Sequence, residues 1–549
     1  MWSTGNSSHN ASIHILDDDS LLNIFHLYRP AVIFDGKKYD GDDDDNEEEE
    51  EDEDDDRNYE GTQIPERWWY KPARVCQRWR KIILGSASYL DLCLVCTFGT
   101  PVADMLAHSP PLPLVIDFFH THRDITTEDE KGIFLALERR DRVRRVRLLI
   151  PRRNMWNLIW ALGEEYPVLE CLIMTLNVPV ECQMARELPR LQAPRLRHLI
   201  LRGFVLPIEP RLLETAVGLV TLGLDMFRPE DFGPDTLLQI LLSISLMPHL
   251  ETLLFVLPRH NVGLRFALLA HTPIMTQQVT LPNLRRLVFE GVSECIEAVT
   301  CQIAAPLLET LDIRFFDQLM FSVHVPGLFQ FVKTTENFKF NCAKFKFFGE
   351  GVRVDFYPRR EARTHSLSIY VHANSLRWQV SSVADLFNSS IDSIEIFSTV
   401  EHLTLENRVV HRSAFESYNE VDRTRWHDLF ISFGNAKILH VDDGFFKEFF
   451  CTFPPVSPDD GEFALELLPG LEELTYYEWL RSDDTAFTSF IDYARQDAGR
   501  LVTVFRPRPR YVSLLPRGVT PPTPLFLPVV SSDVMAGSIE ALSMSDLNI

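Results

Sequence analysis

Cys93-Leu-Val-Cys96 and His120-Thr-His122 are the two places where metal-binding or redox side chains fall at usable spacing. A Cys-x-x-Cys pair serves a zinc site when a second pair follows at the right distance, or redox exchange when one thiol is activated. No second pair follows here, and the cysteines sit in the apolar run SYLDLCLVC. Buried core cysteines are therefore expected. The two histidines would need Asp117 or Asp124 to complete a metal site, and read better as a solvated loop after a strand. Metalloprotease, phosphate-loop and serine-hydrolase signatures are all missing. No catalytic residue, metal site or cofactor is assigned.

The elements around these residues carry more information. The chain has 549 residues and a formal net charge of −24. Sixteen acidic residues lie between Asp40 and Glu60 against one Arg57, leaving about −9 for the rest. That insert cannot bury apolar surface and repels itself, so it is read as a solvated loop. A calcium loop would need a glycine at its sixth position, which the run Asp42 to Glu47 lacks. An acidic chain is poorly suited to neutralising phosphates, so no nucleic-acid partner is expected. No window reaches about 18 apolar residues, so no membrane partner is expected either. The N-terminus has no basic stretch leading into an apolar run, so secretion is not expected and the sequons at Asn6 and Asn10 are read as chance. Nine cysteines without dense spacing suit a reducing compartment, cytoplasmic or nuclear.

From residue 143 onward one pattern recurs: apolar, two residues, apolar, one residue, apolar. It occurs at Val143/Val146/Leu148, Leu169/Leu172/Met174, Leu196/Leu199/Leu201, Leu219/Leu222/Leu224, Leu250/Leu253/Phe255, Leu284/Leu287/Phe289 and Leu308/Leu311/Ile313. After a gap of 92 residues it returns at Val400/Leu403/Leu405, Ala436/Leu439/Val441 and Leu471/Leu474/Tyr476. The last two positions of each copy share one face of a short strand. Six copies carry a proline two residues ahead, which suits the passage from loop to strand. The spacing leaves room for a helix between strands. Glu128 to Glu138, with Thr127 and Glu130 as a capping box, Met155 to Leu162, and Phe487 to Ala494 are predicted helices. The pattern resembles leucine-rich repeats in irregular form. It implies a stacked α/β solenoid with a parallel sheet, against the plainer alternative of an ordinary α/β domain. Residues 315 to 395 yield no register.

Ahead of the repeats, Leu16-Asp-Asp-Asp-Ser-Leu-Leu-Asn-Ile-Phe-His-Leu-Tyr28 predicts a helix with Leu21, Leu22, Ile24 and Phe25 as its apolar stripe. Arg67 to Leu84 predicts a second, with Pro72 in its first turn, Val75, Cys76, Trp79, Ile82 and Ile83 on one face, and Gly85 at its end. Here the chain resembles the F-box family. Its consensus runs Leu-Pro-x-Glu-x-Leu-Leu-x-x-Ile-Phe, then Val-Cys-x-x-Trp-Arg. Leu16, Leu21, Leu22, Ile24 and Phe25 match the first block; Val75, Cys76, Trp79 and Arg80 match the second. More narrowly, Arg67 to Leu106 resembles a string found in a large fungal group of F-box proteins. Asp17 replaces the consensus proline and is expected to loosen the start of the first helix. The long connection between blocks costs on the order of 1.2 kcal/mol in loop closure, which is tolerable.

The resemblance implies an α/β chain with an N-terminal helical F-box followed by the repeat solenoid. Residues 1–11 are expected to be disordered. Residues 12–95 form the F-box-like domain with the disordered insert 35–64. Residues 96–505 form the repeat domain, and 506–549 a Pro-rich, then polar, tail. It further implies a Skp-type adaptor as partner, through it a cullin-RING scaffold, and an unidentified target protein held by the repeats for ubiquitin transfer. The adaptor-binding or F-box core positions are then Leu16, Leu21, Leu22, Ile24, Phe25, Val75, Cys76, Trp79, Ile82 and Ile83. Three alternatives stay open: a helical cap on the repeats, a repeat scaffold whose F-box has drifted, and an enzyme with an unrevealed polar site. Arg139, Arg140, Arg142, Arg144, Arg145, Arg147, Arg152 and Arg153 are read as a solvated face, or as a dock for an acidic partner or the acidic insert.

Overall fold

The computed structural model describes residues 16–30, 65–119, 123, 125–151, 155–176, 191–203, 211–225, 234–256, 278–316, 325–362, 364–408, 423–442, 468–476 and 503–505. The chain divides into two compact units, Met1–Pro507 and Arg508–Ile549, and every described residue belongs to the first. The N-terminal segment 1–11, the acidic insert, the histidines at 120 and 122, Asp124, Arg152, Arg153, the helix predicted at 487–494 and the tail lie outside the described residues.

All ten repeat copies are strands of one sheet. Its members are β1 (Leu94–Cys96), β2 (Leu114–Phe118), β3 (Val143–Ile150), β4 (Cys171–Leu176), β5 (His198–Arg202), β6 (Thr221–Asp225) and β7 (Thr252–Val256). Beyond a two-stranded ribbon of β8 (Val279–Thr280) and β10 (Ile303–Ala304) come β9 (Arg286–Gly291) and β11 (Thr310–Phe315). The sheet continues with β12 (Cys342–Phe347), β13 (Gly351–Tyr357), β14 (Leu367–His372), β15 (His402–Asn407), β16 (Ile438–Val441), β17 (Glu473–Tyr476) and β18 (Thr503–Phe505). Sixteen strands pair in the order β1 to β7, β9, β11, β14, β13, β12, β15 to β18.

The recurring leucine explains how each strand is delivered. In nine copies the first apolar residue sits two positions before its strand, and its N–H closes a four-residue turn. The bonds run from Leu169 to Tyr166 O, Leu196 to Ala193 O and Leu250 to Met247 O, and the set spans 2.9 to 3.4 Å. Proline fills the second position in six of these turns, where its fixed φ suits the bend and no N–H is needed. The residue opening each turn, such as Tyr166, Ala193 or Met247, is buried. It is a fourth apolar position of the repeat that the three-residue pattern missed.

One carbonyl then starts each new pairing. Glu170 O accepts from Arg197 N at 2.8 Å and His198 N at 3.0 Å. Arg197, Val220, Glu251, Arg285, Glu401 and Lys437 serve their following strands in the same way. This keeps neighbouring copies level, so Leu172, Leu199, Leu222 and Leu253 line up across β4 to β7 and bury one face of the sheet.

Helices pack that face. Thr127–Leu137 and Met155–Leu162 form as predicted in place. The capping box is one residue earlier than expected: Thr126 and Asp129 exchange bonds, not Thr127 and Glu130. Paired threonines followed by paired acids made both registers plausible in sequence.

The stretch without a register is an antiparallel insertion. β14 lies parallel to β11, and β12 parallel to β15, but β13 runs against both β14 and β12. The chain skips two strand positions after β11, turns back, and fills the gap. Its core is aromatic: Phe356 stacks on Phe397 at 4.7 Å, and Phe387 meets Phe397 at 4.4 Å.

Gly351 sits where that hairpin closes. A Cβ there would meet the Tyr370 hydroxyl and lie 2.7 Å from Val371 O, a backbone atom that cannot move aside. Gly351→Ala should lower stability by about 1–3 kcal/mol, the usual cost of overpacking. Denaturant unfolding beside the parent protein checks this.

Candidate functional site

The N-terminal helix α1 spans Asp18–Tyr28. Asp17 does not loosen it. Its side chain accepts the Ser20 N–H at 2.6 Å as an N-cap, and Asp18 and Asp19 add charge suited to the first turn. The Ser20 bond and, secondarily, Arg78 hold the Asp17 carboxyl below its ordinary range. Leu21 and Phe25 point inward and are buried.

The second helix is shorter than predicted. Pro72–Arg74 form a 3-10 turn, Cys76 is extended, and α2 covers Gln77–Gly85. Cys76 caps α2 with its sulfur, which accepts the Trp79 N–H at 3.4 Å. The break at Cys76 takes Val75 off the apolar face and leaves it 62% exposed.

The two helices meet edge to face, with Phe25 and Trp79 ring centroids 5.1 Å apart. Arg78 fastens the start of α1, reaching Asp18 at 2.7 Å and Leu16 O at 2.6 Å. A second fastening joins the pair to the repeats. Asp91, held at φ 53°, binds Arg29 at 2.6 Å and also Arg144 of β3. Arg144 continues to Glu170 at 2.8 Å. Burial lowers the Arg144 pKa, but the bonds to Glu170 and Asp91 outweigh it and keep the guanidinium charged.

These contacts divide the ten candidate residues. Leu21, Phe25 and Ile83 are core. Leu16, Leu22, Cys76, Trp79 and Ile82 are half-buried along the helix seam. Ile24 is 43% exposed and, with Val75, faces outward. Leu27 and Tyr28 were missed, yet they follow Ile24 at i+3 and i+4 and are exposed too. Arg78 and Asp91 were also missed. Arg78 lay inside the matched motif, whereas nothing local marks Asp91.

The other constellations resolve as parts of the scaffold. Cys96 of β1 and Cys93 just ahead of it are buried in separate apolar clusters, and burial pushes Cys96 up to about 12. Asp117 pairs with Arg147 at 3.2 Å, and Arg140 with Glu164 at 3.2 Å. Arg142 donates to Leu112 O at 2.9 Å and Arg145 is buried. Arg140, Arg142, Arg144 and Arg147 are thus bound within the chain, whereas Arg139 is exposed. Among the described residues no group of three or more His, Cys, Asp or Glu side chains could hold a metal. No described helix is long and apolar enough to cross a membrane.

The sheet face opposite the core is polar around the insertion. Asp312 takes His365 at 2.5 Å and Arg286 at 3.1 Å. Asp355, almost fully buried, takes Ser368 at 2.7 Å, Arg353 at 3.1 Å and Lys346 at 3.1 Å. Lys344 reaches Glu406 at 2.6 Å, and the Arg314 guanidinium lies 5.2 Å from the centre of the Tyr370 ring. Burial pushes both aspartates up, but their cationic neighbours outweigh it and hold them below the ordinary range.

No family model matches the chain, and no curated protein matches it. Among solved structures it is similar to the leucine-rich repeat-containing protein LegL7 from Legionella pneumophila. That likeness has 10% identity and covers 73% of this chain and 97% of the other, with a TM-score of 0.26. So low a score carries no argument. The repeat architecture rests on the strands and turns themselves.

Two stability predictions follow from this geometry. Phe25→Ala should cost about 3–5 kcal/mol, because it empties the helix seam, whereas Leu27→Ala should stay within about 0.5 kcal/mol. Denaturant midpoints of the two variants separate core from surface. Asp312 has a depressed folded pKa, so its contribution is present above the ordinary aspartate value and lost as pH falls through the folded one. The stability gap between parent and Asp312→Asn should be full near pH 7 and close at strongly acidic pH. A gap unchanged down the acid limb in a pH series of unfolding curves would contradict the ion-pair account.

Proposed function

We propose that the chain is a substrate-recognition adaptor of a Skp–cullin–F-box type ubiquitin ligase. In this reading α1 and α2 dock a Skp-type adaptor, which brings a cullin-RING scaffold and its ubiquitin-conjugating enzyme. The repeat sheet holds a target protein, with the polar face around β11 to β15 as the surface offered to it. The chain works in the cytoplasm or nucleus by raising the effective concentration of target lysines near the ubiquitin donor. It needs no cofactor and no catalytic residue of its own.

One observation carries the reading. Leu21, Phe25 and Ile83 of the α1/α2 seam are already buried in the core shared with the sheet, yet Ile24, Leu27, Tyr28 and Val75 keep much of their apolar side chains in solvent. A helix pair serving only as an end cap has no use for that outer row. Apolar anchors of this kind supply most of the energy of a docking interface.

A second reading is a repeat scaffold outside any ligase. The Asp91 clamp favours it, since fastening helices onto the first repeats is what a cap does.

Co-expression with a Skp-type adaptor, pull-down and sizing decide between them. The parent chain should form a one-to-one complex. Ile24→Ala/Leu27→Ala/Val75→Ala should stay folded and bind at least tenfold more weakly. A folded parent that forms no complex leaves the scaffold reading.

A further inference from the structure

The segment Arg67-Trp68-Trp69-Tyr70 is the most aromatic stretch of the N-terminal region; Trp69 is buried in the core, and Trp68 and Tyr70 pack against it half-buried. It runs through a 3-10 turn, Pro65–Tyr70, beside β1. Among the described residues β1 is the first strand of the sheet and pairs on one side alone, with β2. The Leu94 N–H donates to Pro113 O at 2.8 Å, so Leu94 and Cys96 turn their peptide groups toward β2. By strand alternation, Cys93 and Val95 turn theirs outward.

Those outward groups are where the segment's side chains land. Trp69 Nε1 donates to Cys93 O at 3.0 Å. The Val95 N–H donates to the Tyr70 hydroxyl at 3.5 Å, and the Arg67 guanidinium donates to Val95 O, also at 3.5 Å. Arg67 is held for this by Thr100 Oγ1 at 3.1 Å. The Trp69 bond is of ordinary length and buried, while the other two are long, so Trp69 is the firmest member. Trp69 and Tyr70 pack edge to face at 4.4 Å, which fixes both rings against the strand. Trp68 turns the other way, toward Tyr28 at 6.2 Å.

A row of outward N–H and C=O groups on an edge strand is a template for another strand. We propose that Arg67, Trp69 and Tyr70 stand in for a missing neighbour strand on β1, closing this end of the sheet against pairing with a second copy of the chain. The partner held off is an extended strand, and the simplest is β1 of another copy, antiparallel about a two-fold axis. Side chains suit this role better than a further strand would. They satisfy the outward groups without presenting a new edge. The inference stands apart from the ligase reading, since it concerns the sheet's end whether or not α1 and α2 bind an adaptor.

The test uses the full chain and removes polar atoms while keeping rings. Arg67→Leu/Trp69→Phe/Tyr70→Phe should show concentration-dependent self-association in sedimentation velocity at least tenfold tighter than the parent's. Trp68→Phe should match the parent. In dilute Tyr70→Phe, the Val95 amide should exchange with deuterium at least tenfold faster than in the parent. Should the triple variant fail to fold, Arg67→Leu/Tyr70→Phe is read the same way. Self-association no tighter than the parent's in a folded variant would overturn the proposal, as would unchanged exchange at Val95.

Discussion

The structure depends on a turn closed by one peptide N–H. At nine of the ten repeats a leucine or its equivalent donates back three residues, from Leu169 to Tyr166 through Leu471 to Leu468. The turn halts the preceding helix or loop and sets the strand's starting point. The next carbonyl then takes two N–H groups from the following copy, as Glu170 does from Arg197 and His198. Register is therefore passed from repeat to repeat through backbone atoms. Side chains between the turns are free to vary, which is why the steps range from 23 to 36 residues outside the gap without breaking the sheet. A one-residue slip would move Leu172, Leu199 and Leu222 from the core to the open face, so the apolar pattern and the turn reinforce each other.

The antiparallel insertion is the exception that this constraint permits. β12 and β15 are parallel neighbours, and the Asn341 carbonyl receives Glu401 and His402 as in any repeat. Only the hairpin between them departs. Its outer face pairs Asp355 with Arg353 and Lys346 across β13 and β12, and on neighbouring β11 Asp312 takes Arg286 and His365. Such a surface is polar yet internally matched in charge. It offers specificity by arrangement rather than by net charge, in contrast to the acidic stretch between residues 40 and 60.

At the other end, the N-terminal helices belong to the same body as the repeats. Asp91 links α1 to β3, and Trp69 links the preceding segment to β1. The domain boundary read at residue 95 falls inside β1. The two helices and the sheet share one core, from Leu21 and Phe25 through Leu94 and Leu114 onward. Anything held at the outer row of α1 would consequently sit in a set relation to the first strands.

Ten strands, two described connecting helices and both N-terminal helices were legible in the sequence, because each rests on the spacing of apolar residues along a few turns of chain. Hydrophobic periodicity is a local quantity, and burial enforces it locally. The break at Cys76 was not legible, since Val75 to Ile83 keeps helical spacing whether or not the chain turns through it. Nor was the partition of Leu21, Phe25 and Ile83 from Ile24, Leu27 and Val75, because a stripe does not say which edge a neighbour covers. The reversal at β13 and the partners of Asp91 and Trp69 lie further still from local pattern. Asp91 is 62 residues from Arg29 and 53 from Arg144. Sequence determined the repeat and its rhythm through local spacing; the closing of the sheet's end, the fastening of the helices and the exposed row on α1 were decided by contacts between distant segments, which only the folded chain brings together.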